Sequence, residues 1–298
     1  MSPRVAVTVG DPRGIGPEIV SKVLEDPPDG VDYLVVGPEE CVEGLSCECL
    51  VAGATRSRLP ISPVEAGRLV GLQVEQVVSL ALSGTVDAIV TGPAEKKAFQ
   101  LAGYRYPGHT EWLGELAGGV PTTMMLVTGD LRVVLITTHI PLSEVPKAVT
   151  RERVLTAARH TKRALRDWWG LKEPRLAVCA LNPHAGDSGL FGLEDDEVLA
   201  PAAREIGAVG PLPADTVFVK ALRGEFDAVL VPYHDVGMTA VKVAGFGKGV
   251  NVTLGLPFIR TAPDHGTALD IAGQGIADPG SMRQAVAMAV ELVRRRVS

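Results

Sequence analysis

Residues 227–280, DAVLVPYHDVGMTAVKVAGFGKGVNVTLGLPFIRTAPDHGTALDIAGQGIADPG, decide how the chain is read. Asp227–Pro232 is an apolar run of the length of a buried strand, and it delivers Tyr233, His234 and Asp235 at its C-terminal end. In open α/β sheets ligands lie outside the carboxyl ends of the strands, so a His-Asp pair there is a candidate ligand or acid–base group. Lys242, Asn251 and Arg260 follow, isolated in glycine-rich and apolar sequence, and a second polar knot, Asp264-His265-Gly266-Thr267, comes next. A solvated loop would carry more charge than this. A purely structural segment has no need of these groups, so the stretch reads as one lip of an active site.

Outward from it, strands and helices alternate. Arg4–Val9 reads as a strand, and the turn Gly10–Glu18 leads into a helix over Pro17–Leu24. That turn matches neither G-x-G-x-x-G nor the P-loop spacing, so it stands between an anion-binding turn and a plain strand-to-helix connection. Tyr33–Gly37 and Asp87–Thr91 read as strands, Pro63–Ser83 and Ala94–Ala102 as helices, and Cys41–Pro60 shows no period. In Tyr106–Glu111, Thr110 is a candidate helix cap, while His109 beside it is a candidate phosphate or carboxylate contact. Thr122–Val127 and Arg132–Thr138 read as strands joined at Gly129-Asp130 like a hairpin. Ser143–Trp169 reads as one or two helices with His160 on a solvated face. Arg175–Leu181 is a strand that runs into Asn182–Asp187, Glu194–Ile206 a helix with an acidic start, Pro211–Thr216 a connector and Ser281–Val297 a last helix. The alternation predicts an α/β fold with mainly parallel, doubly wound sheet.

Length and composition agree with this class. A chain of 298 residues suits one large domain or two, and 46% hydrophobic with 21% charged residues is ordinary for a soluble globular protein. The net charge of −6, with basic residues dispersed, argues against a nucleic-acid surface. Cys41, Cys47, Cys49 and Cys179 form no C-x-x-C pair, which favours reduced thiols and a cytoplasmic setting. No apolar run approaches the roughly 18 residues of a membrane span.

Two constellations carry chemistry. His139, His184 and His234 each follow the end of an apolar strand. Strand ends on one edge of a sheet converge, and three imidazoles with an open position make a catalytic divalent-metal site. Asp235 beside His234, or Asp187 near His184, would orient ring nitrogens. The spacing leaves open whether all three come from one subunit. The second constellation is cationic: Lys242, Arg260, His109 and Arg13 suit a small anionic substrate, with solvation of each as the competing account.

The motifs GDPRGIGPEI, GYRYPGHTEWL, TTHIPL, LNPHAGDSG, GPLPADTVF, YHDVGM and GVNVTLGLPFIRTAPDHGTALDIAGQG, in this order from Gly10 to Met282, resemble the 4-hydroxythreonine-4-phosphate dehydrogenase family. The DHGTALDIAGQGIADP segment also resembles the nicotinamide-cofactor loop of isopropylmalate and isocitrate dehydrogenases, enzymes that bind NAD without a Rossmann fingerprint. The resemblance implies two α/β/α domains with a cleft between them, isopropylmalate dehydrogenase-like, divided as residues 1–118 plus 268–298 and residues 119–267. It implies a homodimer with active sites at the subunit interface, and a divalent metal (zinc, cobalt or magnesium) on His139, His184 and His234. Substrate contacts fall to His109, Thr110, Lys242, Asn251 and Arg260, with Asp215, Lys242 and His109 as catalytic groups. NAD or NADP would meet His265, Gly266, Thr267, Ala268 and Asp278.

The implied reaction is metal-dependent oxidation of 4-phosphohydroxythreonine at C3, then decarboxylation to 3-amino-2-oxopropyl phosphate in the vitamin B6 pathway. Relatives oxidise phosphorylated four-carbon sugar acids or aromatic cis-dihydrodiols, and an inactive binding relative is a further alternative. The sequence departs from the family at Val236, where glutamine is usual, at Thr239-Ala240, where a proline is common, and at Asp187 and Arg13. It is also short around Cys41–Pro60. Val236, next to His234, puts the non-phosphate end of the substrate in question.

Overall fold

The computed structural model describes residues 2–54, 61–106, 108–245 and 247–297; residues 55–60, the end of the stretch without a period, lie outside the described residues. In chain order the elements are β1 (Arg4–Thr8), α1 (Gly16–Leu24), β2 (Asp32–Gly37), α2 (Glu39–Val42), β3 (Glu48–Val51), α3 (Pro63–Leu82), β4 (Ala88–Thr91), α4 (Lys96–Leu101) and α5 (His109–Leu116). There follow β5 (Thr123–Thr128), β6 (Leu131–Leu135), α6 (Val145–Ala148), α7 (Arg151–Asp167), β7 (Leu176–Cys179), α8 (Ala200–Glu205), β8 (Val209–Leu212), α9 (Ala214–Leu222), β9 (Ala228–Val231) and α10 (His234–Gly245). The last are β10 (Val250–Leu254), β11 (Ile259–Pro263) and α11 (Gly280–Val297). The fold is mixed α/β, and the chain divides into two compact units, residues 1–122 with 250–298, and residues 123–249.

In the first unit the strand order is β3-β2-β1-β4-β11-β10. All neighbours are parallel except β10 and β11. Strands covered on both faces read as continuous apolar runs, as Val5–Val7 and Ala88–Val90 do, all of them buried. The long helix α3 starts at a serine N-cap: Ser62 Oγ accepts from the Glu65 amide at 3.2 Å, and Pro63 occupies the first turn. Its inner stripe, with Val70, Val74 and Val77, packs on a core that includes Ile89, Phe99 and Trp112. One polar residue of that stripe, Gln73, is fully buried and brackets Gly10, accepting from its amide and donating to its carbonyl, both at 2.9 Å. Gly10 has φ +76°, and a Cβ there would lie 2.3 Å from the Pro93 carbonyl oxygen, so the turn after β1 needs glycine.

The second unit has the order β5-β6-β9-β7-β8. β5 and β6 form the expected antiparallel hairpin, and β6, β9, β7 and β8 are parallel in turn. The core gathers Leu126, Val133, Val178's neighbours Ala177 and Cys179, and Val229.

Three sequence readings change here. β10 and β11 belong to the first unit, where β11 runs parallel to β4 with Ile259 opposite Ala88, so the division lies before Val250 and not after residue 267. Pro211 and Leu212, read as the start of the connector Pro211–Thr216, belong to the strand Val209–Leu212, which pairs with β7. The helix read over Glu194–Ile206 opens with a wide π turn at Asp195–Leu199 before α8. Among the described residues no helix is long and apolar enough to cross a membrane.

Candidate active site

In the first unit the chemistry centres on Arg260. It lies on β11, is 3% exposed, and spends its guanidinium on hydroxyls: Nε and one Nη donate to Thr91 Oγ1 (3.2 and 2.6 Å), the other Nη to Thr253 Oγ1 (2.9 Å). Among the described residues it forms no ion pair. Burial pulls its pKa down to about 10, partly opposed by the charge of Glu111. A buried cation compensated only by neutral oxygens is costly unless an anion completes it. Asn251 shares a face of β10 with Thr253, two residues on, and its Oδ1 is buried with no hydrogen-bond partner among the described residues.

His109 has the same property. It opens α5, its ring stands edge-on to Phe99 with centroids 5.1 Å apart, and its Nε2 is buried and unpartnered among the described residues. Burial, reinforced by the charge of Arg260, lowers its pKa to about 3, so at neutral pH it is an uncharged imidazole. Thr110 is buried but is not the helix cap. Gly108 holds that position with no side-chain bond, while the Thr110 carbonyl accepts from Thr122 Oγ1 at 3.3 Å.

After β11 the chain enters the segment read as the cofactor loop. His265 Nδ1 lies 3.0 Å from the Gly266 carbonyl and its Nε2 is buried without a partner among the described residues. Gly266 is exposed, and Ala268 sits at φ +41°. The Thr267 carbonyl accepts from the Ile15 amide at 2.9 Å, and a Cβ on Gly14 would come within 2.7 Å of that oxygen, so the Gly10–Gly16 turn is seated on the loop. Asp278 Oδ1 accepts from the Gly280 amide at the start of α11. Two ties hold the far end: Glu18 Oε1 accepts from the Ala277 amide, and Lys22 Nζ donates to the Gly275 and Ala277 carbonyls.

Arg13 leaves the cationic set. Its Nη2 lies 2.7 Å from the fully buried Asp11 and 2.8 Å from Glu95, and Nε adds a second bond to Asp11, so its charge is spent internally.

In the second unit, His139, His184 and His234 follow β6, β7 and β9, three adjacent parallel strands. The rings of His139 and His234 lie 5.3 Å apart. His234 Nδ1 is 2.7 Å from Asp235 Oδ1, a contact that leaves Nε2 as the ligand-side nitrogen. His184 does not join them: it lies at φ +53° in the loop after β7, its ring 6.3 Å from that of Phe191. Among the described residues no group of three or more His, Cys, Asp or Glu side chains is placed to hold a metal ion. The convergence expected of three strand ends is therefore met by two. Position along the sheet edge is inherited from the strand, but reach is decided by the loop.

Lys242 is exposed on α10, and Asp215 is exposed in the first turn of α9. Asp215 shares a groove of about 590 Å³ with Phe218, Tyr233, Asp235, Val236 and Val243. Val236 packs on the apolar cluster with Leu212 and Phe218, so this departure faces a hydrophobic wall. His160, expected to be solvated, is half-buried on α7 and its Nδ1 is 2.9 Å from Thr123 Oγ1.

The sequence profile described as "Pyridoxal phosphate biosynthetic protein PdxA" matches residues 47–289. The chain belongs to the PdxA family. A 4-hydroxythreonine-4-phosphate dehydrogenase of Geobacter metallireducens is 42% identical over 326 aligned positions, covering 98% of this chain and 96% of that one. The crystal structure of the Klebsiella pneumoniae 4-hydroxythreonine-4-phosphate dehydrogenase superposes with a TM-score of 0.88 at 37% identity, over 98% of each chain. Isocitrate dehydrogenase from Methylococcus capsulatus, 19% identical with a TM-score of 0.54 over 99% of this chain and 87% of that one, shares the fold. Within this PdxA-family chain, sequence reasoning singled out Arg260 and Asn251 but missed Thr91 and Thr253. A threonine closing a buried strand next to an isolated arginine strand was the available signal.

Proposed function

We propose that this PdxA-family dehydrogenase oxidises 4-phosphohydroxythreonine at C3 and releases 3-amino-2-oxopropyl phosphate and CO2, for pyridoxal phosphate biosynthesis. The observation that carries this reading is the buried Arg260, which among the described residues hydrogen-bonds to hydroxyls and to no carboxylate, in the unit where His109 Nε2 and Asn251 Oδ1 are both buried and unpartnered among the described residues. Buried polar atoms are normally satisfied; the Arg260 guanidinium and a His109 Nε2–H suit the oxygens of a phosphate monoester, while Asn251 Oδ1, an acceptor, would take a hydrogen bond from a donor on the substrate. His109, neutral because of its burial, would contribute a hydrogen bond and not a charge.

Thr110 and Lys242 are assigned to the same substrate, and Lys242 supplies the cation for its carboxylate end. A divalent metal, with zinc, cobalt and magnesium as candidates, would when bound lower the pKa of the C3 hydroxyl, and a nicotinamide cofactor, NAD or NADP, would accept the C3 hydride. His139, His184 and His234 are the proposed metal ligands. Three imidazoles suit a divalent ion by donor type, and Asp235 engages His234 Nδ1 and leaves Nε2 free to ligate, but one chain brings only His139 and His234 together; the homodimer, with its active site at the interface, would complete what one chain leaves open. His265, Gly266, Thr267, Ala268 and Asp278 are assigned to the cofactor. Of the three groups assigned to catalysis, Asp215 would take the hydroxyl proton and return one to C2 when the C1–C2 bond breaks and its electron pair stays on C2, while Lys242 as a cation and His109 as a neutral imidazole would hold the charge that develops.

The test is appearance of reduced cofactor with 4-phosphohydroxythreonine, and in parallel with 4-phosphoerythronate and 4-phosphothreonate, each with and without chelator. Chelator-sensitive turnover of the first is expected. Preference for a sugar acid, or no turnover of any, refutes the assignment.

A further inference from the structure

The loop that carries His184 is built unlike the rest of the chain. Six consecutive residues, His184 to Gly189, have left-handed φ values of +53°, +57°, +81°, +44°, +57° and +88°. Four of them, His184, Ala185, Asp187 and Ser188, are not glycine. L residues visit this region singly, because Cβ crowds the following carbonyl, and a run of them persists only where the surroundings over-determine it.

The surroundings that do so lie at the start of the wide turn 195–199. Asp195 is fully buried and accepts two successive amides, Leu181 N–H on Oδ1 (2.8 Å) and Asn182 N–H on Oδ2 (2.9 Å). Beside it, Glu194 Oε2 accepts from Asn182 Nδ2 at 2.9 Å. Within the loop, the Leu190 and Phe191 amides close back on the Asp187 and Gly186 carbonyls. Two neighbouring carboxylates thus grip the two residues at which β7 turns into the left-handed run. Both Asp195 oxygens are occupied by backbone, which leaves it no role as a ligand or base.

We propose that Asp195, with Glu194, is a positioning pair for His184: it pins residues 181–182 so that the strained turn presents the imidazole in one place. The proposal rests on the reading of His184 as a metal ligand. It makes the tether, and not the loop's own preference, the source of that ligand's geometry.

The test uses full-length protein stripped of metal and titrated with Co2+ against a chromophoric chelator, well below the melting temperature. Asp195→Asn keeps the shape but loses one acceptor, and Glu194→Ala removes the milder tie. For Asp195→Asn, folded by circular dichroism, the expected results are cobalt affinity weaker on the order of 10–100-fold, an altered visible cobalt spectrum, and faster hydrogen exchange at the Leu181 and Asn182 amides. Glu194→Ala should move the same readouts in the same direction by less. It carries the test if Asp195→Asn does not fold. A folded variant with wild-type cobalt affinity and spectrum overturns the proposal and leaves the metal reading standing. Wild-type protein that binds no cobalt overturns the metal reading, and the proposal with it.

Discussion

Acidification should expose His109 as a liability confined to the first unit. Burial holds its folded-state pKa at about 3, against 6.5 for the unfolded chain. Between those values the unfolded state binds a proton that the folded state refuses, so stability rises with pH across the window and is lost as pH falls through it. Integrating from pH 7 to pH 5 gives a loss of about 2 kcal/mol from this one residue, at about 1.4 kcal/mol per proton per pH unit. For a cooperative unit of this size that is a melting-temperature drop of about 4–8 °C. His160, also held down by burial, adds a loss of the same sign in the second unit, so the comparison must be differential. Thermal melts of wild type and His109→Asn at pH 7 and pH 5 isolate the effect: the variant should lose less on acidification by that amount. Parallel profiles for the two proteins would refute the claim that His109 is neutral and desolvated in the folded state.

Other perturbations test other links. Arg260→Met should raise KM for the phosphorylated substrate on the order of 10–100-fold, the worth of a hydrogen bond to a charged group. Its melting temperature should hold or rise, because a buried cation without a carboxylate no longer needs to be desolvated; unchanged KM would remove Arg260 from the anion subsite. Gly67→Ala places a Cβ 2.1 Å from the Ala98 carbonyl oxygen where α3 meets α4, and should cost about 1–3 kcal/mol or more in a denaturant melt. A neutral result would mean that α4 can move away freely. Ala185→Gly relieves a left-handed residue at φ +57° and should stabilise by about 0.5–1 kcal/mol after the entropy of the unfolded glycine is subtracted. A lower melting temperature would show that the turn is not strained there.

The architecture was legible wherever burial leaves a plain signature. Strands covered on both faces, such as β1, β4 and β9, are short apolar runs that need no periodicity to be seen, and α3 announces itself with Ser62, Pro63 and Glu65. What escaped depends on partners distant in sequence. β8 contains Gly210-Pro211 and looks like a connector until β7 is beside it. His160 sits between Arg159 and Thr161 and reads as solvated until Thr123 arrives from β5. The three histidines were placed at strand ends correctly, yet strand position says nothing about a loop that turns left-handed for six residues. Its clue was present in Gly186 and Gly189, flanked by Asn182 and Asp187, residue types that tolerate or favour such backbone.

Arg13 and Arg260 show which cations can be judged from sequence. Both stand at the carboxyl-end turns or strands of the first unit, and both looked like anion contacts. Arg13 has Asp11 two residues before it, and a chain turning tightly through Gly10 and Gly14 leaves that carboxylate nowhere else to go. The structure pairs them bidentately and adds Glu95. Arg260 lies between Ile259 and Thr261, with no acidic residue from Val250 to Pro263. A strand buried to that extent offers a guanidinium only what neighbouring strands bring, and they bring two threonine hydroxyls. Hydroxyls orient the cation without neutralising it, which keeps its charge available to a ligand. An arginine isolated from carboxylates inside an apolar strand is thus the stronger functional signal. An arginine on a glycine-rich turn has first to be set against its own nearest acid.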